Sequence, residues 1–463
     1  MSMKPLVIQN PANHETLAEL AIDSAADIAN KAARARRAQP QWAARSLDSR
    51  MAIIEKFRVI VARDLDRLAT TMTKETGKPI AHSRNELNGF LGRIDFFLGH
   101  SKHALAPQTV FNADGMREEI HREPLGLLGN ISAWNYPWFV GGNVYVPGLL
   151  TGNSILYKPS EYASLSGLAM RDALYEAGVP EDVFLTVIGA GDAGTNLLAQ
   201  SINGLFFTGS VATGRAIAKA MGSRFVKLQL ELGGKDPTYV CADANALTSA
   251  DSLADGAMYN AGQSCCSVER IYVHESIHEA FVGQFVRACE ALRLGDPLSE
   301  STTLGPLTRA GQIDVLNHQV SDARKKGARI LLGGGTTRGP FDGKGNWYAP
   351  TVVTDTRHEM LVMTEESFGP IIGIQKVSGD DEAIRLMNDT TYGLTAGVYT
   401  PDETRARQIL ARVNAGSVYW NCCDRVSPRL PWSGRGDSGV GLTLSEEGIT
   451  TFTQPKAWHL RSA

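Results

Sequence analysis

The stretch Leu205-Phe206-Phe207-Thr208-Gly209-Ser210-Val211-Ala212-Thr213-Gly214 decides the fold. A short run of strand-favouring residues stops at a glycine, and a helical pattern from Thr213 to Met221 follows at once. The next apolar run, Phe225 to Leu230, completes a strand–helix–strand unit. Gly209 and Ser210 stand where a helix N-terminus offers backbone N–H groups to a diphosphate. The spacing is GxxxxG, not GxGxxG, and the Lys-Ser/Thr of a P-loop is missing, which disfavours nucleotide hydrolysis. An ordinary helix cap explains the segment equally well when it is taken alone.

The same alternation extends on both sides. Leu127 to Ser132, Ser154 to Tyr157 and Phe184 to Ile188 are further apolar runs, with a helical pattern at Leu165 to Ala177. This predicts a parallel, doubly wound α/β sheet. A second series runs from Ala254 to about Val418, with strands at Glu269 to Val273, Ala328 to Leu332 and Ile371 to Lys376. Its helices are expected at Ile277 to Leu292 and Asp381 to Met387. Ahead of both, Ala25 to Thr76 and Ala81 to Phe97 repeat apolar residues at three- and four-residue steps, the pattern of a helical layer whose role is packing. Thr109 to Phe111 and Arg117 to Arg122 flank an Asp114-Gly115 turn, so a projecting hairpin is expected. Thr450 to Leu460 reads as another projecting strand, able to pair with that hairpin within the chain or across a subunit boundary.

A chain of 463 residues favours about two or three domains. A net charge of −3 provides no basic field for nucleic acid. The first twenty or so residues lack a basic patch followed by an apolar run, and no segment is apolar enough to span a bilayer. A cytoplasmic protein is expected. The 6 cysteines lack CxxC spacing and nearby histidines, so neither a disulfide framework nor a metal site is expected.

Several segments could carry chemistry. Cys265 follows the Gly262-Gln263 turn, where a thiolate nucleophile would fit, although most free cysteines are small buried hydrophobes. Glu231 ends a strand and precedes Leu232-Gly233-Gly234-Lys235; it suits a general base, or else an ion pair with Lys235 or Lys227. Asn135, in Trp134-Asn135-Tyr136-Pro137, could donate to an oxyanion or merely form a turn. Lys158 and Glu161, in Lys158-Pro159-Ser160-Glu161, could grip a ribose diol, the carboxylate repelling a 2′-phosphate. Glu365-Glu366-Ser367-Phe368-Gly369-Pro370 sets a carboxylate and an aromatic beside a break.

In this order the motifs resemble the aldehyde dehydrogenase superfamily, over nearly the whole chain. The resemblance implies a Rossmann-like cofactor domain (residues 1–105 and 124–232), a related α/β catalytic domain (233–448) and a small β oligomerisation arm (106–123 and 449–463). It implies a homodimer or homotetramer. Cys265 then resembles the nucleophile, Glu231 the general base, and Asn135 with the Cys265 N–H the oxyanion donors. NAD, with NADP as the alternative, is the implied cofactor, with Lys158, Ser160 and Glu161 at the adenosine ribose and Gly209, Ser210 and Gly214 at the diphosphate turn. Trp134, Leu232, Glu366 and Phe368 match further cofactor contacts. The implied reaction passes from thiohemiacetal to thioester and then to the free acid.

The substrate positions carried over are Tyr136, Phe139, Asn143, Tyr259, Ser264, Cys266, Asp424, Val426 and Trp432. Their aromatics favour an apolar tail, whereas Arg425 and Arg429 could hold a carboxylate or simply face solvent. Where many hydrolytic relatives carry a second glutamate, this chain has Thr443, which leaves Glu446, Glu447 or another water path to relay the proton. Three other readings compete: CoA-acylating oxidation, a Cys-His hydrolase, and a non-catalytic scaffold. The presence of Glu231 speaks against the first, the sequence distance of every histidine from Cys265 against the second, and the survival of Cys265, Glu231 and Asn135 together against the third.

Overall fold

The computed structural model describes residues 4–462, so residues 1–3 and 463 of the expected domain ranges lie outside it. Four sheets organise these residues. The first large sheet has six strands in the order 439–440, 227–231, 204–208, 127–131, 154–158, 184–186. All pair in parallel except the two-residue edge strand, which runs antiparallel to Leu230 and Glu231. Strands Leu127–Ile131 and Ser154–Lys158 are buried along their whole length, as parallel strands covered by helices on both faces must be. Chain order reverses between 127–131 and 204–208, and the crevice at their C-terminal ends is where such sheets bind ligands.

The second large sheet has seven strands, in the order 329–332, 351–354, 371–377, 270–274, 237–240, 395–399, 417–420, with only 329–332 antiparallel to its neighbour. The chain passes from the first sheet to the second between Glu231 and Pro237. Helices expected at 277–292 and 381–387 are found at His278–Glu290 and Asp380–Asn388.

The N-terminal helices are Ala25–Ala43, Leu47–Arg63, Leu65–Thr76 and Ile80–Ala104. Ser24 and Asp27 form a reciprocal cap that starts the first of them. Beside them packs Pro137–Leu150, buried nearly all round, as its lack of a polar face requires. A third sheet joins Thr453–Arg461, Met116–Pro124 and Gln108–Ala113, so the last strand pairs with the hairpin inside the same chain. A small antiparallel pair, Leu6–Gln9 with Thr16–Leu20, was not foreseen. The strand expected from Phe225 begins instead at Lys227, and Phe225 stands fully exposed.

Candidate active site

The C-terminal edge of the six-stranded sheet gathers most of the residues expected at a cofactor. Trp134 and Asn135 follow 127–131, Lys158, Ser160 and Glu161 follow 154–158, Gly209 and Ser210 follow 204–208, and Leu232 follows 227–231. Ser210 caps the helix Val211–Met221 by accepting from the Thr213 N–H at 3.3 Å. Gly214 lets that helix press on Leu232, since a Cβ there would meet the leucine side chain at 2.5 Å. Lys158 is buried, donates to the Pro159 carbonyl at 3.2 Å, and lies 3.9 Å from the Glu161 carboxylate. Burial pushes its pKa down, because so loosely paired an ammonium is costly away from water. An under-partnered ammonium beside a carboxylate at a strand end suits a vicinal diol, and this donor set fits a dinucleotide.

Glu366 and Phe368 reach the same region from the other half of the chain. Glu366 accepts from the Gly234 N–H at 3.2 Å, and a Cβ at Gly233 would overlap its carboxylate. Burial, with the Glu269 charge close by, pushes its pKa up to about 8. Phe368 has a left-handed backbone, φ 47°, and its ring meets Trp134 edge-on at 5.5 Å. Glu269 fixes this bend by accepting from the Ser367 and Phe368 N–H groups at 2.8 and 2.9 Å, while buried Lys235 pairs with it at 2.8 Å. Lys235 is thus engaged away from Glu231, which removes that ion-pair alternative.

Cys265 sits beyond three consecutive left-handed residues, Asn260, Ala261 and Gly262, with φ of 53°, 55° and 68°. Gly262 is required twice over: by its φ, and because a Cβ would stand 2.2 Å from the Gly369 carbonyl oxygen. Gln263 braces the loop, donating to the Asn260 carbonyl at 3.1 Å and accepting from the Thr308 N–H at 2.9 Å. Asn260 donates to the carbonyls of Gln263 and Asn135, at 3.2 and 3.4 Å. This side chain ties the cysteine loop to the turn carrying Asn135, a link that no sequence motif announced. Asn135 is buried, and its amide makes no hydrogen bond among the described residues. Of the two adjacent thiols, Cys265 is partly accessible and Cys266 is buried. Hydrogen bonding with Cys265, burial and the Asp424 charge together push the Cys266 thiol well up, so it stays protonated and donates to Asp424 at 2.9 Å.

Glu231 is buried at the end of its strand and accepts from the Trp432 indole N–H at 2.6 Å. Burial raises its pKa, against the lowering effect of that hydrogen bond and of the Arg93 charge. Trp432 in turn pairs backbone to backbone with Thr443, whose buried hydroxyl has no partner among the described residues. Glu446 is held by His100 and His103 at 2.7 and 2.9 Å, and Glu447 is exposed. Neither glutamate contacts Glu231.

Cys265 and Glu231 face a single cavity of about 550 Å³. All nine expected substrate positions border it: Tyr136 at the start of the helix Pro137–Leu150 with Phe139 and Asn143 on it, Tyr259, Ser264 and Cys266 on the cysteine loop, and Asp424, Val426 and Trp432 from a later loop. Arg425 also borders it, whereas Arg429 does not. One expectation needs correction. The helix Ile80–Ala104 does more than pack, because His82, Asn85, Glu86 and Arg93 form a wall of the cavity. His82 stacks on Tyr259 at 3.7 Å, and burial pushes its pKa down to about 3. It makes no hydrogen bond to Cys265, so the Cys-His arrangement is not formed.

A sequence profile of the aldehyde dehydrogenase family matches residues 2–458. The fold agrees at the level of solved structures. PnpE from Pseudomonas sp. WBC-3, also solved in complex with nicotinamide adenine dinucleotide, is 31% identical over 99% of this chain and 94% of its own, with a TM-score of 0.95. An NAD-dependent aldehyde dehydrogenase from Sinorhizobium meliloti is 31% identical over 98% and 91%, with a TM-score of 0.94. An NADP-dependent enzyme of E. coli is 28% identical over 99% and 95%, with a TM-score of 0.95. The chain belongs to the aldehyde dehydrogenase family.

Proposed function

We propose that this protein oxidises an aldehyde to its carboxylic acid with NAD(P), through a covalent adduct on Cys265. The observation that carries the reading is the meeting of a partly accessible thiol and a buried, raised carboxylate in one cavity. The Cys265 thiolate adds to the carbonyl carbon, and the unpartnered Asn135 amide and the Cys265 N–H take up the charge on oxygen. Glu231, oriented by Trp432, removes a proton from the water that hydrolyses the thioester. The nicotinamide cofactor, when bound, supplies the hydride acceptor. Lys158, Ser160 and Glu161 hold its adenosine ribose, Gly209, Ser210 and Gly214 its diphosphate, and Trp134, Leu232, Glu366 and Phe368 the remainder. The carboxylate of Glu161 favours NAD over NADP.

The division into cofactor domain, catalytic domain and arm belongs to the same proposal, as do a homo-oligomeric state and a cytoplasmic setting. In its support, the chain changes sheet at 232–236, and the arm segments form a sheet of their own. No helix among the described residues is long and apolar enough to cross a membrane.

The test follows reduced-nicotinamide absorbance with NAD and with NADP, without CoA, on a panel of aldehydes. Sustained turnover is expected with NAD, and its loss in Cys265→Ala. A burst that stalls would remove the hydrolytic step and point to another acyl acceptor.

A further inference from the structure

Among the described residues, buried cations outside the cofactor crevice, where Lys158 stands loosely beside Glu161, have acceptors, with one exception. Lys78 pairs with Glu86, and Lys235 with Glu269. Arg270 is spent on the carbonyls of Lys235, Leu386 and Met387, and Arg50 on those of Ala43, Arg45 and Leu150. Arg93 is 5% exposed and makes a single hydrogen bond, from Nη1 to the neutral Oδ1 of Asn143 at 2.8 Å. Among the described residues no carboxylate or carbonyl accepts its other N–H groups, and it borders the cavity that holds Cys265 and Glu231. Burial pushes its pKa down only to about 10, so it is charged at neutral pH.

The guanidinium is also held in place. It lies 3.7 Å over the face of Phe139, whose ring stacks on Tyr136 at 6.0 Å, and the Lys78 ammonium lies over the Tyr136 ring at 3.8 Å. Gly89, one helical turn before Arg93, makes room for this column, since a Cβ there would strike Phe139 at 2.6 Å. A planar cation with spare donors, stacked on a ring and shielded from water, is built to receive a planar anion in paired hydrogen bonds.

We propose that the cavity takes an aldehyde bearing a carboxylate, and that Arg93 binds that carboxylate. The inference rests on the reading of the site as one that oxidises aldehydes. A monoanion matches the one buried cation of this cavity whose guanidinium no carboxylate hydrogen-bonds. A phosphate dianion would overfill it, in a cavity whose Glu231 and Asp424 already have raised pKa values through burial. Arg425 lines the same cavity but is exposed, where a charge pair is worth little.

Steady-state rates with 4-oxobutanoate and 5-oxopentanoate, set against butanal, pentanal and glyceraldehyde 3-phosphate, test this in the wild type, Arg93→Met and Arg93→Lys. The wild type should prefer the carboxylated aldehydes. Arg93→Met should raise their KM about 100-fold relative to that of the uncharged aldehydes, any change in kcat through the neighbouring Glu231 falling on both classes alike, with partial rescue of the KM by Arg93→Lys. Equal loss on charged and uncharged substrates would mean a structural role and would overturn the proposal, as would a wild-type preference for butanal or for the phosphorylated aldehyde. Calorimetric binding of succinate and glutarate provides a readout apart from turnover. If no aldehyde is oxidised but these anions bind and are lost in Arg93→Met, the oxidation reading fails and the anion site stands. If oxidation proceeds but no dicarboxylate binds and no carboxylated substrate is favoured, the anion site fails alone. Should Arg93→Met not fold, Arg93→Lys decides, since weakened binding of carboxylates only is the expected result.

Discussion

At the scale of single residues, the proposed hydrolysis turns on how strongly burial disfavours the charge on Glu231. A carboxylic acid acts as a base only above its own pKa, and burial has moved this one upward. Steady-state turnover should therefore fall as pH drops through a limb above the ordinary carboxylate range of about 4.3. In Glu231→Gln that limb should vanish, with kcat lower by roughly 10²–10⁴-fold, while the first burst of reduced cofactor persists. Stopped-flow and steady-state profiles separate the two outcomes, and loss of the burst would place Glu231 before hydrolysis. Cys265, Glu231 and Asn135 were singled out in the sequence because glycines and prolines punctuate the turns that carry them, and the order of the motifs along the chain suggested the roles proposed above. Asn260 and Arg93 were not. Each lies in a segment whose pattern is plain helix or turn, and its partners, Asn135 and Asn143, come from elsewhere in the chain.

At the scale of elements, Ile80–Ala104 shows what periodicity leaves out. The repeat of apolar residues located the helix correctly but could not tell which polar residues on it face water. Glu86 is fully buried: it pairs with Lys78 and accepts from the Trp138 and Phe139 N–H groups, at 2.9 and 3.3 Å, where the helix Pro137–Leu150 begins. One carboxylate thus joins two helices and satisfies donors that Pro137–Leu150 cannot satisfy itself. Glu86→Gln should leave the Lys78 ammonium buried without an anion and cost about 3–5 kcal/mol. The unfolding midpoint should drop accordingly, and adding Lys78→Met should recover part of the loss. An unchanged midpoint would show that water reaches the pair.

At the scale of the whole molecule, the sheet of 108–113, 116–124 and 453–461 is left without a covering layer. Its outer strands are largely exposed, with Val110, Phe111 and Trp458 open to solvent. A bare sheet with open edges invites pairing. Light scattering should find an assembly of at least two chains, and Val110→Lys with Phe111→Lys should shift it towards the monomer; a monomeric wild type would contradict this. The sheet orders themselves were only partly legible, since four strands of the second sheet, at 237–240, 351–354, 395–399 and 417–420, gave no separate signal within a continuous βα texture. The supports of the Cys265 loop bear on how the chain is made. On the ribosome Cys265 emerges well before Gly369, against which Gly262 packs, and before Trp432, which holds Glu231. A growing polypeptide exposes the thiol well before these later supports of its loop and of Glu231 exist. On the proposed reading competence arrives late in translation, and a chain stalled short of Trp432 carries the cysteine without the indole that orients Glu231.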